Sequence, residues 1–230
     1  MRTLAIGDIH GCLRALDALL EVVSPQPDDV LVTLGDYVDR GPDVKGALDR
    51  LLALSRRCRH VPLIGNHDLL MLAARNNPEK YLDWFQVGGK ETLHSYGADL
   101  HWDLFVNAVP LEHWRFLEES CLRYHETSTH FFVHANVYPD MPLDEQPEYM
   151  LCWEKLDPAN SRPHDSGKIM ICGHTAQKAG RPLALEHAIC IDTWAFGGGW
   201  LTCLDVEKSA YWQANQKGET RIGLLGFRDR

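Results

Sequence analysis

Apolar and polar positions along the chain alternate between two patterns. Short, nearly unbroken apolar runs at 3–7, 30–34 ("VLVTL") and 60–64 ("HVPLI") predict buried strands. Between them, 12–23 ("CLRALDALLEVV") carries apolar residues at helical spacing until "SPQPDD" stops it. A second helical stretch, 43–56 ("DVKGALDRLLALSR"), follows Pro42, and "HDLLMLAAR" opens a third. The order β-α-β-α-β-α predicts parallel strands with helices packed on their faces.

Residues 76–125 read as mainly helical, with "WFQVGGKETLHSYG" and "LEHWRFLEESCL" the clearer pieces. Strand patterns then return at 130–135 ("HFFVHA"), 168–174 ("KIMICGH"), 188–192 ("AICID"), 200–206 ("WLTCLDV") and 210–215 ("AYWQAN"). The stretch 136–167 is rich in Pro, Asp and Glu and predicts surface loops over one rim. With no repeat, low-complexity tract or linker, the pattern predicts one α/β domain over 1–230, its second half a mixed or antiparallel sheet.

Composition narrows the function classes. A length of 230 residues suffices for a substantial core, and a net charge of −9 argues against a general binder of nucleic acid or anionic membrane. It leaves an anionic substrate open, because a bound metal can dominate the charge of its own pocket. The seven cysteines stand singly and include no C-x-x-C pair, which predicts reduced thiols in a cytoplasmic protein. The first residues are too short in apolar length for a signal segment, and no run approaches a membrane span.

The candidate chemistry lies where strands end. The first three strands run into "GDIHG" (7–11), "GDYVDRG" (35–41) and "GNHD" (65–68), and two later ones end in His134 and His174. In α/β sheets ligands bind beyond the carboxyl ends of strands, so all five would open at one rim. Asp8, His10, Asp36, Asn66, His134 and His174 supply carboxylate, amide and imidazole donors without thiolate. That donor mixture suits two divalent ions, manganese first, with iron or zinc as alternatives. A carboxylate such as Asp36 can bridge two cations, and such a pair turns water into a nucleophile near neutral pH.

These motifs, with "GHT" downstream, resemble the calcineurin-like metallophosphoesterases, and among them the phosphoprotein-phosphatase branch and its bacterial relatives. "GDYVDRG" is the most specific piece, and the resemblance runs from Asp8 to the closing strands near residue 212. It implies an αββα sandwich of two mixed β-sheets flanked by helices, with a dinuclear centre at the strand C-terminal ends. It also implies that Asp8 and His10 hold one metal, that Asp36 bridges, and that Asn66, His134 and His174 hold the other. His67 would be the general acid, Asp39 its hydrogen-bond partner, and Arg40 a bidentate phosphate binder. The substrate would be a phosphorylated protein or a small phosphoester, with dinucleoside polyphosphate as the alternative and a phosphate-binding scaffold a distant third.

Three positions depart from the family's pattern. Residue 68 is Asp where the branch has Glu, and the histidine strand ends in "HAN" in place of a glycine-rich run. The second phosphate-binding arginine is missing from "CWEKL", where Lys155 takes its place and Arg162 is a nearby substitute. The remaining features read as structural. His94, His101, His113, His125 and His187 are assigned to surface or core, and Trp84, Trp102 and Trp114 to core or lid. "AFGGGWL" at 195–201 reads as a hairpin turn, since a strand and not a helix follows its glycines.

Overall fold

The computed structural model describes residues 1–98 and 101–226; Asp99 and Leu100, within the stretch expected to be helical, lie outside it. The first part follows the expected order: β1 (Thr3–Ile6), α1 (Leu13–Val23), β2 (Val30–Thr33), α2 (Val44–Leu54), β3 (Arg59–Pro62) and α3 (Asn66–Asn76). Asp43 caps α2, its side chain accepting from the N–H of Gly46 at 2.8 Å.

The helical stretch holds α4 (Pro78–Trp84), α5 (Lys90–Ser95), α6 (Trp102–Ala108) and α7 (Leu111–Arg115), with π-helical turns at 85–89 and 116–120. It ends sooner than its periodicity suggests. Tyr124–Glu126 forms a strand, β4, antiparallel to β5 (His130–Val133). The 136–167 loops contain the short α8 (Glu148–Cys152). After it come β6 (Ile169–Cys172), β7 (Leu183–Ala184), β8 (Ala188–Cys190), β9 (Leu201–Asp205), β10 (Ala210–Ala214) and β11 (Thr220–Leu224). Both β7 and β11 are absent from the pattern reading: β7 has two residues, and β11 leaves Ile222 and Leu224 exposed.

The second half does not form one sheet. Strands β9, β10 and β11 return to the first sheet, giving the order β11-β10-β9-β1-β2-β3, in which β9 runs antiparallel to β1. The other strands form a second sheet, β4-β5-β6-β8-β7, with β5, β6 and β8 parallel. Both sheets are mixed. Their inner faces meet through Ala5, Val32, Leu63, Phe132, Ile171, Ile189 and Leu204. The period-2 alternation of strands sends the neighbours of these residues outward. Leu4 and Ile6 join α1 and α2 on one side, while Phe131, Val133 and Cys172 join Leu151 of α8 on the other. Helices thus cover the outer faces of a two-sheet sandwich. Among the described residues no helix is long and apolar enough to cross a membrane, and all seven cysteines are free.

Candidate metal centre and active site

The turns leaving β1, β2, β3, β5 and β6 converge on one rim, so both sheets contribute to one site. Backbone geometry marks the place. Among the described residues eight non-glycine residues have positive φ, and six of them are His10, Asp36, Asp39, Arg40, His174 and Trp194. Such conformations are costly and persist where the surroundings over-determine them. Gly65 and Gly173 are among the glycines that close approach requires. A Cβ on Gly65 would lie 2.2 Å from Asp36 Oδ1, and one on Gly173 would lie 2.0 Å from Asp8 Oδ1.

Two ligand groups share Asp36: His10 with Asp36 and His67, and Asp36 with His134 and His174, the donor atoms of each lying within 4.8 Å of one another. Asp36 Oδ2 is 3.3 Å from His10 Nε2, and Oδ1 is 3.4 Å from His134 Nε2. Asn66 Oδ1 stands 3.0 Å from both His134 Nε2 and His174 Nδ1. Asp8 lies alongside, its carboxylate accepting the N–H of His174 at 3.0 Å.

The imidazole tautomers follow from their other partners. His10 Nδ1 faces the carbonyl of Val38 at 2.8 Å, His134 Nδ1 that of Leu34 at 2.8 Å, and His174 Nε2 that of Trp153 at 2.9 Å. A carbonyl only accepts, so each of those nitrogens carries a proton and the opposite nitrogen presents a lone pair. Burial keeps the rings neutral, lowering His10 to about 3 and His174 to about 4 and pushing His134 down as well. The lone pair of His10 meets Arg40 Nη1 at 3.2 Å as well as Asp36, whereas those of His134 and His174 aim at carboxylate and amide oxygens inside the site. Acceptor facing acceptor is unfavourable unless a cation lies between them. The residues fit divalent metal.

Carboxylates strengthen that fit. Burial and the neighbouring charges of Asp192 and Asp36 raise Asp8 well above the usual range, and burial carries Asp192 up to about 6. For Asp36 burial works the same way, but His134, His67 and His10 outweigh it and hold its pKa below normal. Asp192 is a residue the sequence reading passed over. It ends the strand run "AICID", the same kind of position as the other candidates, and accepts the N–H of Trp194 at 2.9 Å.

His67 is separated from this logic by its partner. Its Nδ1 stands 2.7 Å from Asp39 Oδ2. Burial pushes the His67 pKa down, yet the charge of Asp36 and the bond to Asp39 outweigh that and raise it. Asp39 is itself fully buried and also accepts from Trp84 Nε1 at 2.9 Å and Thr92 Oγ1 at 2.8 Å. Asp68 fixes the loops around it, accepting from the N–H groups of Asp36 (2.8 Å), Gly65 (2.9 Å) and Tyr37 (3.0 Å).

A pocket of about 480 Å³ opens over these groups, lined among others by Arg40, His67, Lys155, Lys178, Trp194 and Phe196. Lys155 reaches it; Arg162 does not, and lines an adjoining cavity of about 570 Å³ that Lys155 also borders. Lys178, Trp194 and Phe196 were not singled out as site residues, because each stands in a turn without motif spacing. A third group, Asp49, Glu112 and His113, lies apart; its His113 is bonded to Asp49 and Tyr96.

Comparison with known proteins agrees with this geometry. The model of the calcineurin-like phosphoesterase family matches residues 1–187. A serine/threonine-protein phosphatase 1 of Salmonella typhimurium is 33% identical over 212 residues, 88% of this chain and 90% of that protein. A symmetrical bis(5'-nucleosyl)-tetraphosphatase of Pseudomonas putida (strain GB-1) is 34% identical over 146 residues, 63% of this chain and 46% of that protein. The crystal structure of a cold-active protein tyrosine phosphatase superposes with a TM-score of 0.68 at 15% identity, covering 96% of this chain and 78% of that one, a likeness of fold. The chain belongs to the calcineurin-like phosphoesterases, in their phosphoprotein-phosphatase branch, and is a metallophosphoesterase.

Proposed function

We propose that the protein is a metal-dependent phosphomonoesterase that hydrolyses phosphoserine and phosphothreonine, with phosphotyrosine a further substrate. The Asp39–His67 pair beside Asp36 carries this reading, because it sets a proton donor next to a site built for divalent ions. Asp8 and His10 would hold one ion, Asp36 would serve both, and Asn66, His134 and His174 would hold the second; manganese suits the donors best. When bound, such ions supply Lewis acidity and an ionised water at neutral pH.

The chain's own groups do the rest. Arg40 offers its guanidinium fork to phosphate oxygens, and Lys155, lining the same pocket, adds a point charge. Asp39 fixes one nitrogen of His67 and stabilises its cation, so the other nitrogen can protonate the departing oxygen. No side chain acts as nucleophile and no phosphoenzyme forms. The near full-length match to a protein phosphatase supports the protein substrate, and the free cysteines are consistent with a cytoplasmic enzyme.

A second reading, hydrolysis of a dinucleoside polyphosphate, is kept by one observation. Arg40, Lys155 and Lys178 surround a single pocket and would favour a chain of phosphates. The test is a substrate panel on manganese-loaded protein, comparing phosphoserine, phosphothreonine and phosphotyrosine peptides with diadenosine tetraphosphate. Phosphate released from the peptides is expected. Nucleoside diphosphate from the dinucleotide, with the peptides untouched, would replace the first reading by the second.

A further inference from the structure

Arg40 is held in an unusual way. Among the described residues the arginine ion pairs are those of Arg2, Arg50, Arg75 and Arg123, and Arg40 forms none. Its guanidinium carbon lies 4.7 Å from the centre of the Phe196 ring. The same ring meets His10 edge to face, with centres 4.9 Å apart and planes at 81°. Among the described residues the guanidinium's other side-chain partner is His10 Nε2, 3.2 Å from Nη1. That lone pair belongs to the candidate metal donors, and a cation taking it up would leave Phe196 as the remaining hold.

The backbone on both sides is pinned. Asp39 and Arg40 are consecutive left-handed residues, with φ of 70° and 68°, and the N–H of Arg40 donates to the carbonyl of Gly88 at 3.1 Å. Phe196 sits in a 3-10 turn, Ala195–Gly197, entered through Trp194 at φ 65° and left through Gly198 at φ 91°. A bulky residue held left-handed is strained, and Trp194 shares that strain with five residues of the site. Its N–H is tied to Asp192. The turn is therefore anchored to the same rim as the groups it faces.

The chemistry explains the choice of an aromatic partner. A carboxylate would hold Arg40 as well, but it would occupy the fork and cancel its charge. A ring face attracts the guanidinium plane through its quadrupole and leaves the in-plane N–H groups unused. We infer that Phe196 is a positioning residue, holding Arg40 in the plane and place at which its fork meets the phosphate ester. The inference rests on the phosphomonoesterase reading, with Arg40 as the phosphate-binding fork. With lysine where the branch has a second arginine, the aim of this one fork matters more.

The test uses Phe196→Leu, which removes the ring but keeps bulk, and Phe196→Tyr, which keeps both. On manganese-loaded protein, F196L is expected to raise the KM for p-nitrophenyl phosphate and the Kd for inorganic phosphate roughly tenfold, with kcat within about threefold of wild type. F196Y should restore both. In an Arg40→Ala background F196L should add no further loss. A second readout needs no metal and no turnover: the rate at which phenylglyoxal modifies Arg40, followed by peptide mass spectrometry, should rise in F196L and not in F196Y. Unchanged KM and modification rate in F196L would overturn the inference, and so would an equal loss in the Arg40→Ala background. If the wild type hydrolyses no phosphomonoester, the functional reading fails, while the modification rates still decide the role of Phe196.

Discussion

Trp84 Nε1 donates to Asp39 Oδ1 at 2.9 Å, across 45 residues of chain, and so joins the helical stretch to the acid pair. Thr92 does the same from α5, and its hydroxyl also accepts the N–H of Asp39 at 2.9 Å. The stretch between β3 and β4 thus supports the Asp39–His67 pair from behind. It surrounds a buried carboxylate with donors, so that the carboxylate can face His67.

Replacing His67 by Asn should show what that pair is for. Turnover is expected to fall about 10²- to 10⁴-fold, the usual contribution of a positioned proton donor. Metal content, measured by plasma mass spectrometry, should stay at the wild-type level. Unchanged turnover would remove His67 from the mechanism.

The pH dependence follows from the same ring. The His67 pKa is raised, so the donor is lost as pH rises through that value, and kcat should decline on the alkaline side. Its contribution to stability is full below the ordinary histidine range and fades over the same rise. His10 and His174 act in the opposite sense, being lowered to about 3 and about 4. In metal-free protein the unfolded chain protonates them first, so stability should fall as pH drops from about 6.5 towards 4. Denaturant melts at several pH values, with and without the His67→Asn change, would separate the two effects.

Removing metal should destabilise as well as inactivate. The lone pairs of His134 and His174 aim at the oxygens of Asp36 and Asn66, and without cations that arrangement is uncompensated. Exhaustive chelation is expected to abolish hydrolysis and lower Tm, and added manganese should restore both. An equal Tm before and after chelation would argue against ligation at these residues.

Asp68, fully buried, is predicted to matter for stability. Its carboxylate serves three buried N–H groups, on Asp36, Tyr37 and Gly65. Asp68→Ala should cost about 3–5 kcal/mol, a drop in Tm of roughly 8–15 °C, measured by calorimetry. Asp68→Asn should cost less, since the amide oxygen still accepts.

Lys155 and Arg162 should part company. Lys155 borders the pocket, so Lys155→Ala is expected to raise KM for a small aryl phosphate several-fold, about what one exposed point charge contributes. Arg162 lines only the neighbouring spaces, and Arg162→Ala should leave that KM unchanged.

Much of this was legible in the sequence. Strands that are buried on both faces read as apolar runs, and that is why β1, β2, β5 and β6 stood out with their terminal Asp and His residues, and β8 as a strand without its Asp192. What periodicity could not carry was partnership. It does not say that β9 leaves the second sheet to lie beside β1, 200 residues away, nor that Trp84 and Thr92 meet Asp39. Trp194 and Phe196 were hidden for another reason. The glycines that follow at 197–199 made an ordinary turn the simplest reading, and only the left-handed backbone and the Arg40 contact distinguish it.

The sharing of one site by two sheets has a mechanical consequence. His10 belongs to the first sheet and His134 and His174 to the second, while Asp36 stands between them. A cation pair bound there would act as a rivet through the sandwich, because the sheets could not slide or part without breaking coordination. Loading metal should then slow amide hydrogen exchange in β2 and β6 together, even though the two strands lie in different sheets.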